Sequence, residues 1–271
     1  MFCKKKYIFH LFFLMFFSSC EYEDKAIPQR VEVEKAEVDI LKRGNWSYTG
    51  SSGQQNWSSL KEEYSLCSEG KRQSPIDINS KTVKLRNEKF LSFFYSLSSL
   101  SILNEDHTIK LLPNDNSSNY IIYKEQKYNL LFFDIHSLSE HKVDNEYYPG
   151  ELQFFHQNEE GDRLIVVVLL DLESYVDQSN FKYFWDYILL AEKTPLQILG
   201  EMNLQDLLPK DRSYFSYEGS LTVPPCTENV EWIVLKSSVS LSRPQLELFQ
   251  SVHSSNFRKV QGLNGRVVYS H

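Results

Sequence analysis

From Trp46 to His271 the apolar residues come in short runs, some unbroken and some alternating with polar residues, and each run is cut off by Asn, Asp, Ser or Gly. Alternation with a period of two marks half-buried strands, because successive side chains leave a strand on opposite faces. Strands are predicted at 100–103, 107–112, 120–123, 129–136, 151–156, 163–170 and 230–236. The run RLIVVVLL at 163–170 is apolar on both faces, which predicts a central strand covered on each side. Helix is scarce. Phe181, Phe184, Trp185, Ile188 and Leu189 recur at helical spacing after Ser179 and Asn180 as caps. A second helix is expected to open on the capping-box pattern Ser242-Arg-Pro-Gln245 and to continue through Leu246 and Phe249. No repeat interrupts this region. The pattern predicts a mainly β chain with a single domain over 45–271, built on a large sheet with short peripheral helices.

The first 44 residues follow other rules. MFCKKKYIFHLFFLMFFSSC opens with Lys4, Lys5 and Lys6, continues with an apolar stretch from Tyr7 to Phe17, and ends in small residues before Cys20. That arrangement predicts a secretion signal over 1–19. Ser18-Ser19-Cys20 also resembles a bacterial lipobox, which would make Cys20 a lipidated N-terminus. Ordinary cleavage and secretion is the alternative. The segment 20–44 is charged and poor in aromatics, which suits a tether. Together these features predict an exported protein of the bacterial cell envelope, held to a membrane by lipid on its periplasmic or surface side.

Removing 1–19 takes away three lysines and no acid, leaving 26 basic residues against 36 acidic ones, a charge of −10. So acidic a chain argues against nucleic acid or sulfated polysaccharide as partner. Two cysteines, Cys67 and Cys226, remain in the domain. In an exported protein such a pair is most simply a disulfide, with two separate buried thiols as the alternative.

Several stretches then point one way: Trp46-Ser-Tyr48, Gly70-Lys-Arg-Gln-Ser-Pro-Ile-Asp-Ile78, His107-Thr-Ile, Ser139-Glu-His141, Ser220-Leu-Thr-Val-Pro-Pro-Cys226, Trp232-Ile-Val-Leu, Asn256-Phe-Arg258 and Leu263-Asn-Gly-Arg266. In order and spacing the chain from Trp46 onward resembles the α-class carbonic anhydrase family. The resemblance implies a twisted, mostly antiparallel sheet of about ten strands, a cone-shaped cleft that holds zinc, and a bond between Cys67 and Cys226. In that family three imidazoles hold Zn²⁺, which lowers the pKa of a bound water to about 7.

The family's three ligand positions fall on Asp134, His136 and Gln153, so one imidazole remains. Zinc accepts a carboxylate, but a neutral amide oxygen is a poor partner for a borderline-soft ion. Phe132 stands where the family's first ligand is steadied by a Gln, and a phenyl ring can neither donate nor accept the necessary hydrogen bond. Other positions match. Thr222 resembles the hydroxyl that bonds the zinc-bound water, Glu140 the carboxylate that orients it, and His107 the proton shuttle at the cleft mouth. Glu151 resembles the carboxylate behind the third ligand, and the Asn256 backbone is expected behind His136. Val166, Leu221 and Trp232 resemble the apolar wall for carbon dioxide, which Phe155 would narrow. His141 and His156 read as core histidines, and strand alternation turns His156 away from the cleft.

These changes predict no bound cofactor, or only weakly bound Zn²⁺. They predict a catalytically silent, monomeric domain that binds a protein or small-molecule partner. The alternative is a weak carbonate dehydratase that turns CO₂ and water into bicarbonate and a proton at an Asp134, His136, Gln153 site. A third possibility is an adhesin for polysaccharide, which the acidic charge disfavours.

Overall fold

The computed structural model describes residues 45–87, 90–115, 117–173 and 182–271. The signal and tether, with Cys20, lie outside the described residues, as do Ser179, Asn180 and Phe181 of the first expected helix. Eight strands form the body of the main sheet: β1 (Leu97–Asn104), β2 (Ile109–Pro113), β3 (Gln126–His136), β4 (Gly150–Gln157), β5 (Arg163–Glu173), β6 (Leu196–Asn203), β7 (Tyr214–Ser220) and β8 (Glu228–Leu235). They lie side by side in the order β6-β1-β2-β3-β4-β5-β8-β7, and the short strands Tyr269–Ser270 and Lys84–Leu85 extend the row to ten. Three further strands off this path bring the sheet to thirteen among the described residues. Neighbours are mostly antiparallel, but β5 and β8 run parallel. The large twisted sheet expected from the sequence is therefore present, with mixed pairing.

β5 shows why the unbroken apolar run was needed. Leu164, Val166, Val168 and Leu170 enter one core with Phe154, Ile233, Phe184 and Phe249. The alternate residues Ile165, Val167 and Leu169 enter a second core with Ile76, Tyr217, Leu221 and Trp232. Burying each aliphatic side chain contributes about 1.5–3 kcal/mol, so a polar residue anywhere along 164–170 would weaken one core or the other.

The helices are short. α1 (Lys182–Tyr187) buries Phe184 and passes into a 3₁₀ turn, Ile188–Leu190, in which Ile188 is buried. Leu189, expected on the apolar stripe, is 66 % exposed because the tighter turn breaks the helical period. α2 (Arg243–Val252) has the expected capping box: Ser242 accepts from the Gln245 N–H while the Gln245 side chain accepts from the Ser242 N–H.

An aromatic cluster of Trp46, Tyr48, Trp57 and Tyr64 packs on Cys226, which is bonded to Cys67. The disulfide ties this N-terminal cluster to the loop after β7.

Candidate functional site

β3 and β4 are antiparallel and in register, with His136 opposite Glu151 and Asp134 opposite Gln153. Alternation then places all four side chains on one face, and all four are buried. His136 Nδ1 hydrogen-bonds the Asn256 carbonyl, as expected, which leaves Nε2 free to face Asp134 Oδ1 at 3.5 Å. Burial alone would depress the His136 pKa, but the Glu140 and Asp134 carboxylates outweigh it and push the ring up to about 10.

Gln153 is the informative side chain. Its amide nitrogen donates to Glu140 Oε2 at 2.7 Å and to Glu151 Oε1 at 2.9 Å. Its Oε1 and Asp134 Oδ1 are buried without a hydrogen-bond partner. Behind them the polar groups are well matched. Glu151 Oε2 accepts from the backbone N–H of Glu140 and of His141, while Oε1 also pairs with His141 Nδ1 at 2.9 Å. His141 Nε2 lies 2.6 Å from the Tyr217 hydroxyl, which in turn donates to Ser74. Burial opposes ionisation of Glu151, yet the charge and hydrogen bonds of His141 hold its carboxyl below the usual range. Glu140 is raised by burial, against the pull of His136, the Thr222 hydroxyl and the Arg258 N–H. His141 and His156 are core histidines, as expected: His156 lies across the sheet against the Tyr95 hydroxyl at 2.7 Å.

The loop that carries Leu221 and Thr222 is fixed from three sides. Ser74 and Ser220 exchange hydrogen bonds, with the Ser74 N–H donating to Ser220 Oγ and the Ser220 N–H to Ser74 Oγ. The Trp232 indole donates to the Ser220 carbonyl, and the Gln73 amide to the Cys226 carbonyl. The approach is so close that a Cβ on Gly219 would stand 2.1 Å from Ser74 Oγ, which is why glycine occupies that position.

The cleft above this floor is lined by Trp46, Glu105, Asp106, His107, Thr108, Phe155, Leu221, Thr222, Val223 and Pro224, together with the buried Asp134 and His136. It encloses about 50 Å³, room for roughly three or four waters at about 10–15 Å³ each. Phe155 narrows it, stacked on Phe132 with ring centroids 4.4 Å apart. His107 at the mouth lies flat on Trp46, centroids 3.6 Å apart; burial lowers its pKa against the opposing pull of Asp106.

One expected wall residue is misplaced. Val166 faces the opposite core with Phe154, and Ile165 shares the cleft side with Leu221 and Trp232. A shift of one residue along a strand exchanges its faces, so an alignment one position out puts the wrong side chain on the wall. Trp232 packs in the same cluster as Leu221, behind the lining. The sequence reading also missed Lys110. It pairs in register with Asp134, is buried, bonds Glu105 at 2.9 Å and lies 4.3 Å over the Phe132 ring. The β2–β3 register, unread from sequence, would have placed it.

The comparisons with known proteins agree with this geometry. The model of the eukaryotic-type carbonic anhydrase family matches residues 52–271. A carbonic anhydrase of Nostoc is 32 % identical over 83 % of this chain and 85 % of its own length. One from Klebsiella pneumoniae is 34 % identical over 83 % and 90 %. Among solved structures, the α-carbonic anhydrase from Thermovibrio ammonificans, in complex with the inhibitor sulfanilamide, aligns with a TM-score of 0.79 at 34 % identity, covering 84 % of this chain and all of that one. Dioscorin complexed with ascorbate aligns at 0.77 with 26 % identity, over 83 % and 97 %. The chain belongs to the carbonic anhydrase family.

The family's zinc does not fit the donors found here. The three ligand positions offer one imidazole, one carboxylate and one amide, and the amide nitrogen is already bound to two carboxylates. Among the described residues no group of three or more His, Cys, Asp or Glu converges as a metal cluster.

Proposed function

We propose that this is a carbonic anhydrase-like domain whose cleft no longer supports zinc-dependent hydration of CO₂ and instead binds a small molecule or partner. The observation that carries the reading is Gln153: its amide N–H groups are bonded to Glu140 and Glu151, the two carboxylates that in the resemblance serve the Thr222 hydroxyl and the third ligand. Phe132 adds to it, since its ring supports Lys110 and Phe155 and offers Asp134 no hydrogen bond. Capture of ascorbate by dioscorin supports the idea that this fold can present its surface to a small organic molecule. The test is zinc content after dialysis with zinc in excess, together with stopped-flow CO₂ hydration. Less than stoichiometric zinc and no rate above buffer are expected; tight stoichiometric zinc would refute the reading.

A second reading has one observation in its favour. Asp134 Oδ1 and Gln153 Oε1 lack partners, and His136 Nε2 faces Asp134, so three donor atoms remain for a metal and a weak carbonate dehydratase. Hydration assays with Zn²⁺, Co²⁺ and Mn²⁺ decide it, and a flat response to all three removes it.

We further infer export, lipid attachment at Cys20 and a monomeric domain over 45–271 on a tether. The basic and apolar leader and the Ser18-Ser19-Cys20 sequence support this. Cys20→Ser should release the protein from the membrane fraction; continued sedimentation with membranes would argue against the anchor.

A further inference from the structure

The acids around the cleft are not equivalent. Three carboxylates, Glu105, Asp106 and Asp134, line it, and among the described residues the lining contains no lysine or arginine. Glu105 has the Lys110 ammonium at 2.9 Å and Asp106 has Lys193 at 2.5 Å. Asp134, 4 % exposed at the floor, faces the His136 ring at 3.5 Å, and its Oδ1 accepts no hydrogen bond. Lys110, its register partner, carries its ammonium away to Glu105 and the Phe132 ring. A carboxylate oxygen buried without a donor is costly, and a charged donor supplied from the cleft would relieve that cost. Opposite it, Gln153 Oε1 is a second buried acceptor without a partner.

The shape narrows the choice. The open space above the floor is small, about 50 Å³, which favours a slim ligand over a bulky one. Phe155 and Leu221, which share one apolar cluster, give the lining an apolar part, and Val223 and Pro224 add to it. An anion entering here would meet three carboxylates, with the His136 ring at the floor as the cation in the lining and no lysine or arginine among the described lining residues.

We propose that the cleft floor is a binding site for a primary ammonium group on a slim apolar body, with the ammonium set against Asp134 and the body against Phe155 and Leu221. This deepens the reading above and rests on it, since a zinc ion would occupy the same floor. An ammonium carries three donors, enough for Asp134 Oδ1 and one more acceptor.

The probe is n-butylammonium, titrated calorimetrically into the full chain, with butyrate as the anion of matching body and methylammonium as the head alone. Saturable binding of butylammonium and none of butyrate is expected. Asp134→Asn, which keeps the shape, should weaken butylammonium about tenfold or more. Leu221→Phe, which fills the wall, should weaken butylammonium more than methylammonium. Equal binding of butyrate would overturn the proposal, as would unchanged affinity in a folded Asp134→Asn. Should that variant not fold, unchanged butylammonium affinity in Leu221→Phe would overturn it. Zinc content separates the two readings. Tight zinc defeats the silent cleft, whereas a zinc-free protein that ignores butylammonium defeats this inference alone.

Discussion

The polar groups behind the cleft floor and those on it differ in one respect: whether each has its partner. Behind the floor, Glu151, His141, Tyr217 and Ser74 form a closed chain of hydrogen bonds, and the Arg258 guanidinium is bonded to Gln73, Ser74 and Cys67. On the floor, Asp134 and Gln153 each keep a buried oxygen without a donor. A buried network that is fully matched rigidifies a fold, whereas unmatched atoms cost free energy that a water or a ligand entering the cleft would offset. The network behind the floor therefore has a structural role independent of catalysis, and the unmatched atoms mark where a ligand would act.

The sharpest way to break this comparison is Glu151→Ala. It strips His141, Gln153 and two backbone N–H groups of an acceptor at once. Removing one partner from a buried charged pair typically costs about 3–5 kcal/mol, so urea denaturation should show a loss of that order. A loss below about 1 kcal/mol would mean that the network is not structural. Next in size is the reverse experiment on the floor. Replacing Asp134 and Gln153 by His and Phe132 by Gln should create a zinc site. At free zinc about a thousand times the dissociation constant, the variant should gain about 4 kcal/mol of stability that chelation removes. No zinc-dependent rise in Tm would show that the surroundings, and not the ligands alone, have changed.

The fold was legible where a physical period was strong. The two-faced run of β5 and the capping box of Ser242 and Gln245 appear where expected. The resemblance pointed to His136, Asp134 and Gln153, and the register of β3 against β4 puts all three on one face. Two kinds of feature were not legible. Val166 was assigned to the cleft through an alignment one residue out, and strand alternation turns such a slip into a change of face. Lys110 went unnoticed because its place depends on how β2 pairs with β3, a relation between strands that no local pattern encodes.

The pH dependence sharpens the contrast from the far side of the sheet. Burial pushes His156 down to about 3, against opposing backbone hydrogen bonds. Its folded pKa therefore lies below the unfolded value of about 6.5, and the unfolded chain takes up the proton first. The stability it contributes is complete above about 6.5 and is lost progressively as the pH falls toward about 3. Between pH 6.5 and 5 that amounts to about 2 kcal/mol, at about 1.4 kcal/mol per unit. Burial and the nearby His107 and His136 push His253 down to about 4, and it acts in the same window. The variant His156→Gln should therefore flatten the acid limb without abolishing it. An unchanged limb would locate the acid sensitivity elsewhere.

The smallest effect is expected at Asp134 itself. Asp134→Asn keeps the side chain's volume, removes a buried charge that has no hydrogen-bond donor on Oδ1, and takes one carboxylate away from His136. The first change favours the folded state and the second disfavours it. The net change in unfolding free energy should stay within about 1 kcal/mol, in contrast to the loss expected for Glu151→Ala. Two acids on neighbouring strands of the same sheet face would then differ several-fold in their contribution to folding. Denaturant midpoints of the two variants, measured with unchanged m-values, decide the matter. Equal losses would show that Asp134 is as firmly built into the fold as Glu151, and the floor would lose its claim to be the part of the cleft left open for a ligand.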